Sequence, residues 1–271
     1  GYLEGFDLFV FPYDWRFDIE EVSVKLSEKI NEIINATGSS EVDLVAHSMG
    51  GLVVKKYLSV NAINSIGKFI DIGTPHLGSP KSFQTLMYGE TGIPILSEEI
   101  ISKITDSMPS VYQLLPSENY FNSLNTDYSY YFFDGVGDNK RLNFSDTKQY
   151  LKDQGRNLSL IDKADDFHGE IDNLRPTDYG VETYNIVGCG TPTLGKIYVL
   201  SQEDSDYDYA IKMINGDGTV PLRSAEAMLA NKTYYVNEAQ HATMPSSSGV
   251  KELVISILKN ENIFDKTNYS N

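Results

Sequence analysis

Apolar residues in the first eighty positions occur in two patterns, short continuous runs and runs with helical spacing. Three continuous runs, at residues 5–11, 42–45 and 66–72, predict buried strands. Between them, apolar residues three and four positions apart predict helices over residues 19–36 and 52–58. This βαβαβ order predicts an α/β fold, with a mostly parallel sheet flanked by helices on both faces.

From about residue 80 to residue 180 the alternation stops, and short helical pieces alternate with Tyr-, Asn- and Asp-rich stretches. We interpret this part as an insertion over the sheet, which either serves as a lid or is a packing subdomain without function. The strand pattern resumes at residues 182–188 and 233–236, with a hairpin predicted around 197–213 and a final helix from about Ser248. The predicted domains are therefore a core of residues 1–79 and 181–271, and a cap of residues 80–180.

The turn after the second predicted strand contains the sequence Ala46-His47-Ser48-Met49-Gly50. A serine on a sharp turn from strand to helix is typical of a nucleophile elbow, here with alanine in place of the first glycine of G-x-S-x-G. The helix would direct its positive dipole end at Ser48, and the Met49 amide would be an oxyanion donor. The alternative is a serine that only caps the helix.

A serine nucleophile needs a base, and four histidines compete for that role. His47 should point away from the site and lie in the core or behind the residues that form the site. His76 follows the next strand and can line the pocket, and His168 lies among acidic residues and is expected to be solvated. His241 follows the last strand, and in α/β-hydrolases the base comes last in chain order. It is the best candidate.

The acid that orients the base should lie between Ser48 and His241, on a loop after a late strand. Asp217 fits, because Gly216 and Gly218 let its loop turn sharply, although an Asp-Gly pair also occurs in ordinary turns. Asp71 is a weaker candidate, since it lies within the third predicted strand.

Charge and composition exclude several other functions. Lys and Arg number 22 against 38 Asp and Glu, giving a net charge of -16, which argues against binding to nucleic acid or anionic membranes by charge. The alternating Asp204, Asp206 and Asp208 lack the glycine and glutamate of a calcium loop. There is no zinc spacing and no phosphate loop, so we predict neither metal nor cofactor.

Targeting signals add little to this interpretation. No apolar run approaches the ~18 residues of a spanning helix, and no signal peptide is visible. We therefore expect a soluble protein without a transmembrane segment, either cytoplasmic or secreted. The single cysteine, Cys189, forbids an internal disulfide and leaves the redox compartment open. Oligomeric state is open as well.

Five motifs occur in one order along the chain: Tyr13-Asp14-Trp15-Arg16, the elbow, the sequence Pro-Ser-Val-Tyr-Gln-Leu-Leu-Pro at 109–116, Gly-Asp-Gly-Thr-Val at 216–220, and Gln240-His241. In this series the chain resembles the lecithin:cholesterol acyltransferase family, which includes lysosomal phospholipases and plant phospholipid:diacylglycerol acyltransferases. The resemblance covers nearly the whole chain. The motifs at 13–16 and 216–220 are its more specific parts.

The resemblance implies an α/β-hydrolase fold with Ser48 as nucleophile, Asp217 as acid and His241 as base. The family cleaves an acyl ester of a lipid and passes the acyl group to water or to an alcohol. The insertion would be a lid that shapes an acyl pocket and allows peripheral contact with lipid. Tyr13, Trp15, His76 and Leu77 are predicted pocket walls.

Two departures from the family pattern stand out. Family members begin with an earlier strand, which lies beside the elbow strand and ends in a loop that supplies a second oxyanion amide. Only seven residues precede the strand at Leu8 here, so we expect a fragment whose upstream extension would raise esterase activity. The cysteines that form disulfides in the animal enzymes are also absent, which suggests a bacterial relative.

The sequence therefore predicts a serine-dependent lipid acyl-ester hydrolase or acyltransferase. A non-catalytic binding module on the same scaffold is the alternative, and a peptidase would share the three candidate residues. Acyl length, head group and acceptor are not determined by the sequence.

Overall fold

A computed structural model describes residues 1–61, 65–90, 97–122, 132–134, 140–199 and 209–261. The helices in these ranges are α1 (Ile19–Thr37), α2 (Met49–Val60), α3 (Pro80–Tyr88), α4 (Glu98–Thr105), α5 (Pro109–Gln113), α6 (Glu118–Asn122), α7 (Phe144–Asp153), α8 (Leu158–Ile171), α9 (Leu222–Ala225) and α10 (Ser248–Leu258). The strands are β1 (Val42–His47), β2 (Ile66–Ile72), β3 (Phe132–Asp134), β4 (Lys140–Leu142), β5 (Glu182–Cys189), β6 (Thr191–Val199), β7 (Tyr209–Gly216) and β8 (Lys232–Asn237).

The central sheet is parallel, with the strand order β1-β2-β5-β8. Strands β1 and β2 end together, because His47 lies opposite Ile72. Loops that follow the carboxyl ends of parallel strands meet at one edge of the sheet, where α/β proteins form their binding sites. The predicted α/β architecture is confirmed, and the segment after β1 carries Ser48 to this edge.

Helices cover both faces of the sheet. On one face the apolar side of α1, including Val22, Leu26 and Ile30, packs with buried residues of α2 and with Phe69 of the sheet. Asp18 begins α1 by accepting a hydrogen bond from the amide of Glu20. On the other face lies α10, whose buried side chains share a cluster with sheet residues, namely Val250, Leu253 and Ile257 with Ile70, Ile72 and Ile186.

A second sheet has the strand order β4-β3-β6-β7. Strands β6 and β7 pair antiparallel from Thr191 opposite Gly216 to Val199 opposite Tyr209, as predicted for the hairpin. Strands β3 and β4 come from the predicted insertion and join the same sheet through β6. The stretch 80–180 thus shares a sheet with the returning chain, and the domain boundary at residue 180 stays a prediction. Asp204, Asp206 and Asp208 lie outside the described residues.

The part of the chain between β2 and β5 has an apolar core of its own. Buried side chains of α3, α5, α7 and α8 meet there with Leu194 and Ile197 of β6, and they include Phe83, Tyr112, Leu151 and Ile161. This core is distinct from the two clusters that sandwich the central sheet. It explains why so many short helices remain ordered without βα alternation, since burial of apolar area, rather than length, stabilises them.

The predicted first strand at residues 5–11 is wrong. This segment forms a turn with one isolated bridge between Glu4 and Leu8, and Phe6, Leu8 and Val10 are exposed. A strand needs a partner for its backbone hydrogen bonds, and an apolar run does not supply one. Among the described residues, nothing pairs with the outer edge of β1, so residues 5–11 gain no ladder and β1 keeps only its pairing with β2.

Between this segment and β1 lies an open groove of about 660 Å³. Its lining is largely apolar and includes Phe11, Tyr13, Val45 and Ala46. The groove runs along the unpaired edge of β1 and reaches His47 and Gly50, the residues on either side of the elbow. The groove therefore lies next to the candidate site.

Candidate active site

Ser48 occupies a strained turn between β1 and α2. Its backbone has φ 57° and ψ −128°, a positive φ that L-residues rarely adopt. Its amide donates to the Ile72 carbonyl oxygen at 2.9 Å, which fixes the turn to the neighbouring strand. The side chain makes no capping hydrogen bond to α2, so the capping alternative is not what this geometry shows.

Two glycines follow the elbow, and only one of them is essential for packing. A Cβ placed on Gly50 would lie 3.5 Å from the Ala46 Cβ and 3.6 Å from the Tyr13 hydroxyl, which are ordinary contacts. A Cβ placed on Gly51 would collide with Thr74 Oγ1 and with Asp71 Oδ1. The close approach beneath the elbow is therefore at Gly51, one position later than the G-x-S-x-G motif indicates.

We expect Gly51→Ala to lower the free energy of unfolding by about 1–3 kcal/mol, because the buried side chains it would meet must shift. Gly50→Ala is the matched control, and it should leave stability unchanged or raise it slightly, since alanine favours helices. Urea unfolding of both variants measures the difference. Equal stability of the two would contradict the packing argument.

Beneath the elbow, three buried polar side chains support the turn. Thr74 Oγ1 lies 2.6 Å from the Ser48 carbonyl oxygen and 2.5 Å from Asp71 Oδ1. The other oxygen of Asp71 accepts from His76 Nε2 at 2.8 Å, and all three side chains are fully buried. Burial lowers the pKa of His76. Asp71, the weaker candidate for the acid, is therefore occupied by His76 and Thr74 and does not reach His241.

The structure brings Ser48, His241 and Asp217 together, although 193 positions separate the serine from the histidine. His241 Nε2 lies 2.9 Å from Ser48 Oγ, and His241 Nδ1 lies 2.7 Å from Asp217 Oδ2. The Asp217 carboxylate can only accept a hydrogen bond, so His241 Nδ1 carries the proton. His241 Nε2 is then free to accept from the serine hydroxyl. A base can take a proton from Ser48 in this arrangement.

Asp217 is fixed by its own loop. Its Oδ1 accepts hydrogen bonds from the amides of Thr219 and Val220 at 3.0 and 2.7 Å, and its side chain is buried. Gly218 has φ 92°, which allows the sharp turn, and its amide donates to Thr193 Oγ1 at 2.8 Å. The loop thus holds one carboxylate oxygen and presents the other to His241.

Met49 begins α2 directly after Ser48. The first amides of a helix have no acceptor within the helix, so the Met49 N–H is available near the serine hydroxyl. Its assignment as an oxyanion donor stays a prediction at this point.

His168, expected to be solvated, is instead buried. Its Nδ1 lies 2.7 Å from Oδ1 of Asp172, the residue directly after α8, and its Nε2 lies 2.9 Å from the carbonyl oxygen of Gln113 on α5. The acidic neighbours in the sequence misled the prediction, because the face of α8 that carries His168 packs against α5. It joins two helices of the insertion and lies outside the candidate site.

The four predicted pocket walls lie in different environments. Tyr13 lines the groove beside β1, and burial raises its pKa. Trp15 is exposed on the same loop, which an ion pair between Asp14 and Arg16 holds. His76 and Leu77 are buried. A role in binding substrate stays a prediction for all four.

His47, expected to point away from the site, instead contacts the candidate base. Its Nε2 lies 3.0 Å from the backbone carbonyl oxygen of His241, and the two imidazole rings are 4.7 Å apart. Burial, followed by the nearby His241 ring, lowers the pKa of His47, so this side chain is neutral at neutral pH. The sequence offered no signal for this contact beyond the position of His47 next to Ser48.

Two further features of the described residues bear on binding. No three side chains among His, Cys, Asp and Glu are grouped so that they could hold a metal ion in the described ranges. In the same ranges, no helix combines the length and the apolar character needed to cross a bilayer.

Comparison with known proteins places this geometry in context. Residues 1–131, slightly less than half of the chain, match the family model described as lecithin:cholesterol acyltransferase. Over 268 residues the chain is 26% identical to the lysosomal phospholipase A and acyltransferase of Canis lupus familiaris, covering 93% of this chain and 61% of that protein. The chain thus spans about three fifths of the length of this relative.

Solved structures agree on the fold. A chain of the Tle4–Tli4 complex matches with a TM-score of 0.64 at 14% identity, covering 90% of this chain and 66% of that one. The mature lipase BlEst2 of Bacillus licheniformis matches with a TM-score of 0.50 at 16% identity, covering 89% and 75%. By sequence the chain is thus similar to the lecithin:cholesterol acyltransferase family, its fold is the α/β-hydrolase fold, and the relatives it matches are named as phospholipase and acyltransferase enzymes.

Proposed function

We propose that the chain is a serine-dependent lipid acyl-ester hydrolase or acyltransferase. The observation that carries this proposal is the pair of hydrogen bonds that links Ser48 Oγ to His241 and His241 to Asp217. A nucleophile, a base and an orienting acid in this order are sufficient for acyl transfer through a covalent intermediate.

In the proposed reaction, Ser48 Oγ attacks the ester carbonyl carbon while His241 Nε2 takes the hydroxyl proton. The Met49 amide stabilises the oxyanion that forms. The ester C–O bond then breaks, and His241 returns the proton to the leaving alcohol. Water or a second alcohol gives its proton to His241 and attacks the acyl carbon. The bond from this carbon to Ser48 Oγ then breaks, His241 returns the proton to Ser48 Oγ, and a fatty acid or a new ester is released. Asp217 holds the tautomer and stabilises the transient imidazolium.

A second oxyanion amide would add to the Met49 donor. We propose that it comes from a strand paired with the open edge of β1, as the family resemblance predicts. This edge ends at the elbow, and the adjacent groove leaves room along it. The loop after such a strand would lie beside Ser48. A donor of this kind contributes on the order of 10²–10³ in rate.

The lipid nature of the substrate rests on the relatives, one of which is named a phospholipase A and acyltransferase. We propose that residues 80–180 form the cap over a core of residues 1–79 and 181–271, and that this cap contacts the acyl chains. The apolar core shared by α3, α5, α7 and α8 supports a cap built from these helices, and Leu194 and Ile197 of β6 contribute to the same core. How well the cap excludes water would decide between hydrolysis and transfer to an alcohol.

The test is the product profile with mixed phospholipid vesicles, in the presence and absence of a fatty alcohol. Free fatty acid without the alcohol indicates hydrolysis, and a wax ester with it indicates transfer. A p-nitrophenyl ester and a matched peptide p-nitroanilide are offered side by side. We expect ester cleavage to exceed peptide cleavage by at least ~10²-fold, since the proposed site is an esterase. Cleavage of the peptide alone, or of neither substrate, would refute the proposed function.

A further inference from the structure

His47 and His241 lie side by side at the site but have different hydrogen-bond partners. The His47 Nε2 is 3.0 Å from the carbonyl oxygen of His241, and a carbonyl only accepts, so Nε2 carries the hydrogen. The rings are tilted by 38° with their centroids 4.7 Å apart. His47 thus contacts the backbone of His241 and leaves the imidazole of His241 free to bond with Ser48.

Apart from the hydrogen bond between its Nε2 and Ser48 Oγ, the bonds that hold His241 join it to the acid. Its amide donates to the Asp217 carbonyl oxygen at 2.8 Å, and its Nδ1 donates to the Asp217 side chain. Asp217 belongs to the loop after β7, in the second sheet. These bonds set the distance from base to acid, but they do not tie the base to the strand that carries the nucleophile.

The hydrogen bond from His47 joins the backbone of the base to β1. His47 is the last residue of β1 and is bonded covalently to Ser48, so it shares the rigid position of the elbow. A hydrogen bond from the His47 ring to the His241 backbone therefore helps to fix the distance between His241 Nε2 and Ser48 Oγ. This matters because His241 lies on a loop between β8 and α10, where regular ladder hydrogen bonds have ended.

We propose that His47 is a positioning residue, whose Nε2–H holds the backbone of His241 at the distance from Ser48 that proton transfer requires. This inference rests on the proposed roles of Ser48 and His241. A neutral donor suits the position, because a permanent positive charge 4.7 Å from His241 would oppose the imidazolium that forms there during the reaction. Lysine or arginine would donate the same bond but add that charge.

Two substitutions separate the hydrogen bond from the bulk of the ring. His47→Phe keeps a planar ring and removes the donor, whereas His47→Gln places a neutral amide N–H at a similar distance from the backbone. We expect kcat for a p-nitrophenyl ester to fall about 10-fold in His47→Phe, the rate equivalent of one hydrogen bond, with KM changed less than about 2-fold. His47→Gln should recover kcat to within about 3-fold of the wild type.

A measurement independent of turnover accompanies the kinetics. Amide hydrogen exchange of residues 238–244 should be faster in His47→Phe than in the wild type and in His47→Gln, because the loop loses its tie to β1. Unchanged exchange in His47→Phe overturns the inference. So does an equal loss of kcat in both variants, or a change that appears in KM alone.

Failure of the proposed function would look different. Wild-type protein that neither cleaves the ester nor reacts with a fluorophosphonate would refute the assignment of Ser48 and His241 as nucleophile and base. The exchange experiment would still decide whether His47 holds the loop, since it requires no turnover. The two hypotheses are therefore tested separately.

Discussion

Ser48→Ala is expected to lower the hydrolysis of a p-nitrophenyl ester on the order of 10⁶-fold and to abolish labelling by a fluorophosphonate. The variant removes the only group that lies within hydrogen-bond distance of His241 Nε2 in the described part of the chain and that can form an ester with the acyl group. Alanine keeps the same backbone strain as serine at φ 57°, so the folded state should be unaffected. Initial rates and gel fluorescence measure the two effects.

The control is Ser40→Ala, the same substitution at an exposed serine in the loop before β1. It should retain full activity and labelling. Circular dichroism of both variants establishes that they are folded. Labelling that persists in Ser48→Ala would move the nucleophile to another residue, and the proposed mechanism would fail with it.

Asp217→Asn is expected to lower kcat on the order of 10⁴-fold with little change in KM. The amides of Thr219 and Val220 point at one carboxylate oxygen, so they should select the amide oxygen of asparagine. The NH₂ group would then face His241 Nδ1 and donate to it. His241 would have to carry its proton on Nε2, toward Ser48, and could no longer accept the serine proton.

The matched control is Asp153→Asn, an exposed aspartate at the end of α7 that also loses one negative charge. It should leave kcat within about 2-fold of the wild type, as expected for a surface change. Activity of Asp217→Asn within about tenfold of the wild type would show that another carboxylate orients the base. Asp71 would then be the next candidate, although its bond to His76 would first have to break.

Local patterns were enough to predict most of the central sheet and the elbow. Helix α1 with its Asp18 cap, strand β2 and the β6–β7 hairpin each depend on spacing within a short window, which sequence shows directly. The position of a base after the last strand follows from the topology, and the structure places Ser48, His241 and Asp217 within hydrogen-bond distance of one another. Their catalytic roles stay a prediction.

What the sequence could not supply depends on contacts between distant segments. The run at residues 5–11 has the composition of a strand but no neighbour with which to pair. His168 has acidic sequence neighbours, yet the face of its helix that packs on α5 decides its burial. The bond from His47 spans 194 positions and ends on a backbone atom, which no residue pattern encodes.

No strand of the described ranges pairs with the outer edge of β1, and this has a consequence for the behaviour of the chain in solution. A free strand edge with apolar neighbours is a template for pairing with a second copy, and repulsion between like charges opposes that encounter. The net charge of -16 supplies such repulsion at low ionic strength. Because salt screens it within about 10 Å at 0.1 M, self-association and precipitation should increase as salt is added.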